Sequence, residues 1–116
     1  MNKYRAKKVK TADGTFDSKA ELAHWHVLKL REKSGEIFNL RRQVRYPLVV
    51  RNVKVCDYVA DFEYDEGKRV RGGLITDLTR CVVDVKGFKT PVYNLKKRLM
   101  LAVHGIKIVE VKAGRK

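Results

Sequence analysis

With 116 residues, 44% of them apolar, the chain suffices for one domain with a modest core and needs neither disulfides nor a structural metal. A formal net charge of +14 is far more than solubility requires; it turns the reading away from basic partners and towards polyanions, nucleic acid first. No apolar run is long enough to span a bilayer, so no membrane is expected as a partner; no small-molecule cofactor is expected either.

The first ten residues carry Lys3, Arg5, Lys7, Lys8 and Lys10 with no acid, a basic arm (1–10). Asp13-Gly14 marks a tight turn that closes a short hairpin before Phe16. Ser18-Lys19-Ala20-Glu21 is a capping box that opens a helix, with Asp17 as the alternative cap. Ala20, Ala23, Val27 and Leu30 form the expected apolar stripe, widened by Trp25 and Leu28, and Gly35 is the expected stop. Val44 to Val50 reads as a strand, Asn52 as a turn, and Lys54 to Tyr64 as the paired strand. Asp65-Glu66-Gly67 predicts another turn, and Arg71-Gly72-Gly73 interrupts a short third strand. The apolar run Cys81 to Val85 is the next strand, ended by Gly87. Thr90-Pro91 opens a second helix whose apolar stripe is expected at Val92, Leu95, Leu99 and Ala102 or Val103, leaving Tyr93, Lys96, Lys97 and Met100 as a polar face. Gly105 closes it, Ile106 to Val111 predicts a last strand, and residues 112–116 form a basic tail. The order is that of a single α/β domain with a mixed sheet and the second helix as a crossover.

Charge is unevenly placed along this frame. Acids gather in the middle, at Asp57, Asp61, Glu63, Asp65, Glu66, Asp77 and Asp84, whereas Lys86 to Lys116 holds nine Lys or Arg against the single acid Glu110. An acidic centre with basic flanks suits a metal-dependent enzyme acting on a phosphodiester backbone. The most informative stretch is Asp84-Val85-Lys86: two residues apart on a strand, the acid and the lysine point to one face, and a buried strand rarely gains stability from such a pair. Asp61 on the neighbouring strand and Glu21 on the first helix could join it. Hard oxygen ligands from Asp61, Asp84 and the Val85 carbonyl describe a Mg²⁺ site, with Lys86 orienting a water or offsetting charge on phosphorus. Each residue also has a plain structural reading. Glu21 is explained equally by the capping box, Asp61 by a cross-strand lysine, and Asp84 with Lys86 by a simple ion pair. The Lys89, Lys96 and Lys97 face either lines the site with phosphate-binding cations or is a solvated surface.

Three scattered histidines pair with no serine or cysteine, which sets acyl transfer aside. Cys56 and Cys81 lack metal-ligand spacing, and no segment carries the pattern of an export signal; reduced thiols and the cytoplasm are expected.

The residues Ser18-Lys19-Ala20-Glu21, Asp57-Tyr58-Val59-Ala60-Asp61-Phe62 and Asp84-Val85-Lys86-Gly87, followed by a helix bearing Tyr93 and lysines, resemble the PD-(D/E)xK nuclease superfamily. More narrowly, the chain is similar to small bacteriophage endonucleases of the Holliday-junction-resolvase-like kind. The resemblance implies a restriction-endonuclease-like αβββαβ core and dependence on Mg²⁺ or Mn²⁺. It also implies metal ligation by Asp61 and Asp84, with Glu21 completing the site and Lys86 activating water. A phage protein of this kind would work in the host cytoplasm. Two departures stand out: Gly67 to Arg80 is longer than the hairpin expected between the motif strands, and Val83 stands where an acid often precedes the aspartate.

The reading is a metal-dependent DNA endonuclease that acts on branched or structured DNA as a homodimer, with Lys7, Lys8, Lys19, Lys89, Tyr93, Lys96 and Lys97 as DNA contacts. The alternatives are a non-catalytic basic nucleic-acid-binding protein, or a transposition or restriction endonuclease subunit that needs a partner.

Overall fold

The structure, a computed structural model, describes residues 8–113. Lys7, the outer part of the basic arm and residues 114–116 of the tail lie outside the described residues. The order of elements is a hairpin β1 (Val9–Thr11) and β2 (Gly14–Phe16), helix α1 (Lys19–Lys33), strands β3 (Ile37–Val50), β4 (Val53–Arg69) and β5 (Ile75–Lys86), helix α2 (Pro91–His104) and strand β6 (Val109–Lys112). The main sheet runs β3-β4-β5-β6. Its first two pairings are antiparallel and the last is parallel, with α2 as the crossover. The mixed α/β architecture expected from the sequence is therefore present.

Local chemistry accounts for the boundaries. Ser18 Oγ accepts from the Glu21 amide at 3.1 Å, while Glu21 Oε1 accepts from the Asp17 amide at 3.0 Å, a capping box closed one residue early. Thr90 caps α2 in the same way through the Tyr93 amide at 3.0 Å, and Gly105 ends it at φ +68°, a conformation that favours glycine. Arg51 and Asn52, at φ +51° and +67°, form the two-residue turn between β3 and β4.

The stretch from Gly67 to Arg80 is not a loop. β4 and β5 continue as a paired hairpin out to Val70 and Leu74, where the Val70 amide donates to the Leu74 carbonyl at 2.8 Å. The expected turn at Asp65-Glu66-Gly67 is instead a register shift between Glu66 and Lys68. A Cβ at Gly67 would collide with Ile75 and Leu78, so the bulge can hold only glycine there without movement.

Two apolar clusters lie on opposite faces of the sheet. Trp25 and Leu28 of α1 pack with Phe16, Ile37, Phe62, Tyr64 and Val83; Tyr93 and Met100 of α2 pack with Tyr46, Leu48, Tyr58, Ala60, Val82 and Ile108. Both expected helix stripes are corrected by this packing. On α1, Val27 and Leu30 are 49% and 68% exposed, and the buried face is Glu21, Trp25 and Leu28. On α2, Val92 and Leu95 face out while Tyr93 and Met100 are buried. Leu28→Ala is accordingly expected to cost about 3 kcal/mol, as a fully buried leucine does. Leu30→Ala should cost less than about 0.5 kcal/mol. Urea unfolding of the two variants checks the assignment, and equal losses would contradict it.

One irregularity positions the site. Tyr58 and Ala60 join the α2 cluster and Phe62 and Tyr64 the α1 cluster, although a regular strand would send all four to one face. The change of phase falls at Asp61. It lies across from Gln43, between the pairs Arg42↔Phe62 and Val44↔Ala60, and Gln43 has φ +55°. Pairing of β4 with β5 reaches only to Phe62↔Val83, so the two strands part at Asp61 and Asp84.

Candidate active site

Where β4 and β5 part, a cleft of about 470 Å³ opens between the N-terminal ends of α1 and α2. Its lining includes Lys8, Ser18, Glu21, Asp61, Lys86 and Thr90. Asp61 Oδ2 accepts the Val85 amide at 2.8 Å, so the side chain takes the place of a ladder partner and is tied to β5. Asp84 lies beneath the cleft at 2% exposure. Its Oδ2 accepts the Tyr58 hydroxyl at 2.5 Å and lies 3.5 Å from Lys86 Nζ. Burial and the neighbouring Asp84 carboxylate together push Asp61 up to about 8. The same carboxylate and burial push Tyr58 far above the usual phenol range, so it stays a donor.

Lys86 is held from two sides, by Asp84 and by the ring of Tyr93, whose centroid is 4.0 Å from Nζ. Glu21 faces the same cleft but is already engaged. Besides the Asp17 amide it accepts Gln43 Nε2 at 3.0 Å and lies 4.0 Å from Arg42, and burial raises its pKa. Glu21 is therefore the cap that the sequence allowed, and it also lines the cleft. Both of its oxygens are committed to holding α1, β3 and the hairpin together.

The expected DNA contacts are dispersed. Lys8 sits on the rim, ion-paired to Asp17 at 3.0 Å, and Lys19 is exposed on the first turn of α1, beside an adjoining groove. Lys89 and Lys97 both pair with Glu110, at 2.9 and 3.0 Å, and Lys96 is half-buried. Tyr93, expected on an exposed face, is 7% exposed and donates its hydroxyl to Glu110 at 2.7 Å, so it offers no open ring to a base. The sequence marked Glu110 only as a lone acid among cations and Tyr58 only as part of a motif, and assigned a role to neither. The only available signal for Tyr58 was its place three residues before Asp61, and for Glu110 its isolation among cations. Glu63, a buried acid two positions along β4 from Asp61, is answered by Arg41 at 2.7 Å and Arg80 at 2.9 Å, and is structural.

Asp61, Asp84 and the Val85 carbonyl are hard oxygen donors of the type that hold Mg²⁺ or Mn²⁺. Burial first and the Asp84 carboxylate second raise the Asp61 pKa, and a cation bound beside it would offset both. The donor chemistry thus fits a divalent ion. Among the described residues, however, no three His, Cys, Asp or Glu side chains are gathered closely enough to hold a metal by themselves.

A mixed four-stranded sheet between two helices, with a pair of carboxylates and a lysine where its central strands part, defines the class of fold and site. The chain belongs to the family described as protein of unknown function DUF1064, which matches residues 1–113. No curated protein and no solved structure matched the chain. Among the described residues no helix is long and apolar enough to cross a membrane.

Proposed function

We propose that the protein is a metal-dependent DNA endonuclease of the PD-(D/E)xK type, acting on branched or structured DNA in the cytoplasm. The observation that carries this reading is the meeting of Asp61 and Asp84 at the parting of β4 and β5, with Lys86 in the same cleft. The restriction-endonuclease-like αβββαβ core is the finer reading of the observed element order.

Asp61, Asp84 and the Val85 carbonyl would hold Mg²⁺ or Mn²⁺. When bound, the ion supplies Lewis-acid polarisation of the phosphodiester and a more acidic water. The chain's own groups do the rest. Tyr58 keeps Asp84 oriented, and the Val85 amide does the same for Asp61. Lys86, as an ammonium, orients the attacking water and offsets the charge that grows on the phosphoryl oxygens. Lys8 on the rim and the more dispersed Lys19, Lys89, Lys96 and Lys97 would offer cations to flanking phosphates, Lys89 and Lys97 less freely while Glu110 pairs with them, which supplies affinity with little base readout. One site cuts one strand, so resolution of a four-way junction requires two copies related by a two-fold axis.

A second reading, a non-catalytic nucleic-acid-binding protein, is favoured by the commitment of both Glu21 oxygens to the helix cap. Incubation of a labelled four-way junction and a matched linear duplex with the protein, in Mg²⁺ or in EDTA, separates the two. Cleavage in Mg²⁺ alone, faster on the junction, is the expected result. Tight binding with no cleavage of either substrate would overturn the nuclease in favour of the binding protein.

A further inference from the structure

Glu110 is the single acid after Asp84, in a segment otherwise rich in cations. Parallel pairing sets it in register with Asp84 across β5 and β6, which turns both side chains to the α2 face of the sheet. There it collects three partners. The Tyr93 hydroxyl donates to Oε2 at 2.7 Å, Lys97 Nζ is 3.0 Å from the same oxygen, and Lys89 Nζ is 2.9 Å from Oε1. Lys89, Tyr93 and Lys97 hold its pKa down at about 2, so the acceptor is ionised at any working pH.

The Tyr93 ring is the next link. It is buried in the α2 cluster, and a buried phenol needs an acceptor for its hydroxyl. Glu110 provides that acceptor and thereby fixes how far the ring reaches towards β5. The ammonium of Lys86 lies over the ring face at 4.0 Å and beside Asp84 at 3.5 Å. A lysine side chain is long and flexible, so its ammonium follows the groups that attract it. The Asp84 carboxylate and the face of the Tyr93 ring place it together, so a shift of the ring moves it.

We infer that Glu110 is a positioning residue for Lys86: through the Tyr93 hydroxyl it sets the ring that holds the ammonium against Asp84. The inference rests on the nuclease reading for its effect on rate, but not for its effect on structure. Loss of Glu110 also releases Lys89 and Lys97 to bind phosphate, so rate and affinity should move in opposite directions. An ordinary loss of stability would not do that.

The test compares wild type, Glu110→Ala, Glu110→Gln and Tyr93→Leu in two measurements. The first is junction cleavage in Mg²⁺, resolved into kcat and KM. Glu110→Ala is expected to lower kcat about tenfold, the worth of one charge-assisted hydrogen bond, with KM unchanged or lower. Glu110→Gln, which still accepts the Tyr93 hydroxyl, should restore most of kcat. The second is the NMR chemical shift of the Lys86 ε-methylene, which the ring current of Tyr93 moves upfield. That shift should persist in Glu110→Gln, shrink in Glu110→Ala and vanish in Tyr93→Leu. Should wild type cleave nothing, the nuclease reading fails while the NMR series still decides the positioning. An unchanged Lys86 shift in Glu110→Ala would overturn the inference whether or not the protein cuts DNA.

Discussion

Asp84→Asn should reduce Mg²⁺-dependent cleavage of a four-way junction by on the order of 10³-fold, the cost of removing one preorganised charge from a water-poor site. The substitution preserves volume, and asparagine can still accept the Tyr58 hydroxyl that Asp84 takes at 2.5 Å. What it removes is the acid beside Lys86 and, on the nuclease reading, one oxygen ligand for the ion. Junction affinity in EDTA should change less than about twofold, because phosphate contacts by surface lysines dominate it. Cleavage assays with gel-shift measurements in EDTA read the two effects separately. Cleavage within tenfold of wild type would remove Asp84 from the chemistry and leave the Asp84–Lys86 pair as structural.

Asp61→Asn has the larger effect on stability. Its pKa of about 8 in the folded chain, against an ordinary 3.8, means that the native state holds this proton more tightly than the unfolded state. Below pH 4 both states are protonated and folding bears no penalty from this group. Between pH 4 and 8 the unfolded chain ionises while the folded one resists, so stability falls with rising pH and levels off above 8. Asparagine abolishes that penalty. At pH 8 the variant should be more stable by on the order of 2 kcal/mol, a gain in Tm of roughly 5–10 °C, and it should lose the slope between pH 4 and 8. Adding Mg²⁺ at pH 8 should raise the Tm of wild type and leave the variant unmoved, since the ion stabilises only the state that binds it. Thermal unfolding of both proteins across pH, with and without Mg²⁺, measures all three; identical pH slopes in the two would show that Asp61 is not the strained carboxylate of this fold.

The sequence carried the local signals well and the packing poorly. Ser18, Thr90, Pro91, Asn52 and Gly105 act through the backbone within a few residues of themselves, and each terminates or caps where the pattern placed it. The helix stripes held at Trp25, Leu28 and Leu99 and failed at Val27, Leu30, Val92 and Leu95, for a different reason. Each helix covers only part of one sheet face, and the sheet selects Trp25 and Leu28 on α1 and Tyr93 and Met100 on α2 over the longer aliphatic rows of Val27 and Leu30 or Val92 and Leu95. Periodicity reports that an apolar face exists, not which of two faces meets a partner. The Gly67–Arg80 hairpin was hidden because Gly67 and Arg71-Gly72-Gly73 both read as breaks, yet only the second is a turn. Asp84-Val85-Lys86 was legible from its chemistry, and Asp61 from its neighbouring strand. The change of phase that presents Asp61 to the cleft depends on Gln43 across the ladder, a long-range fact with no local signature.

The pairing order of the sheet also sets a sequence of events for the newly made chain. β3, β4 and β5 form a meander whose neighbours are joined by short turns, so little loop entropy opposes their zipping and they can assemble early. Val83 meets Val109 only after the whole of α2 has folded back across the sheet, the longest connection between neighbouring strands of the main sheet. Asp61 and Asp84 are thus brought together by the early meander, whereas the Tyr93–Glu110 wall arrives with the last strand. A chain still emerging from the ribosome would carry the acidic pair but not the finished cleft, whose Lys86 side is completed only once β6 has docked.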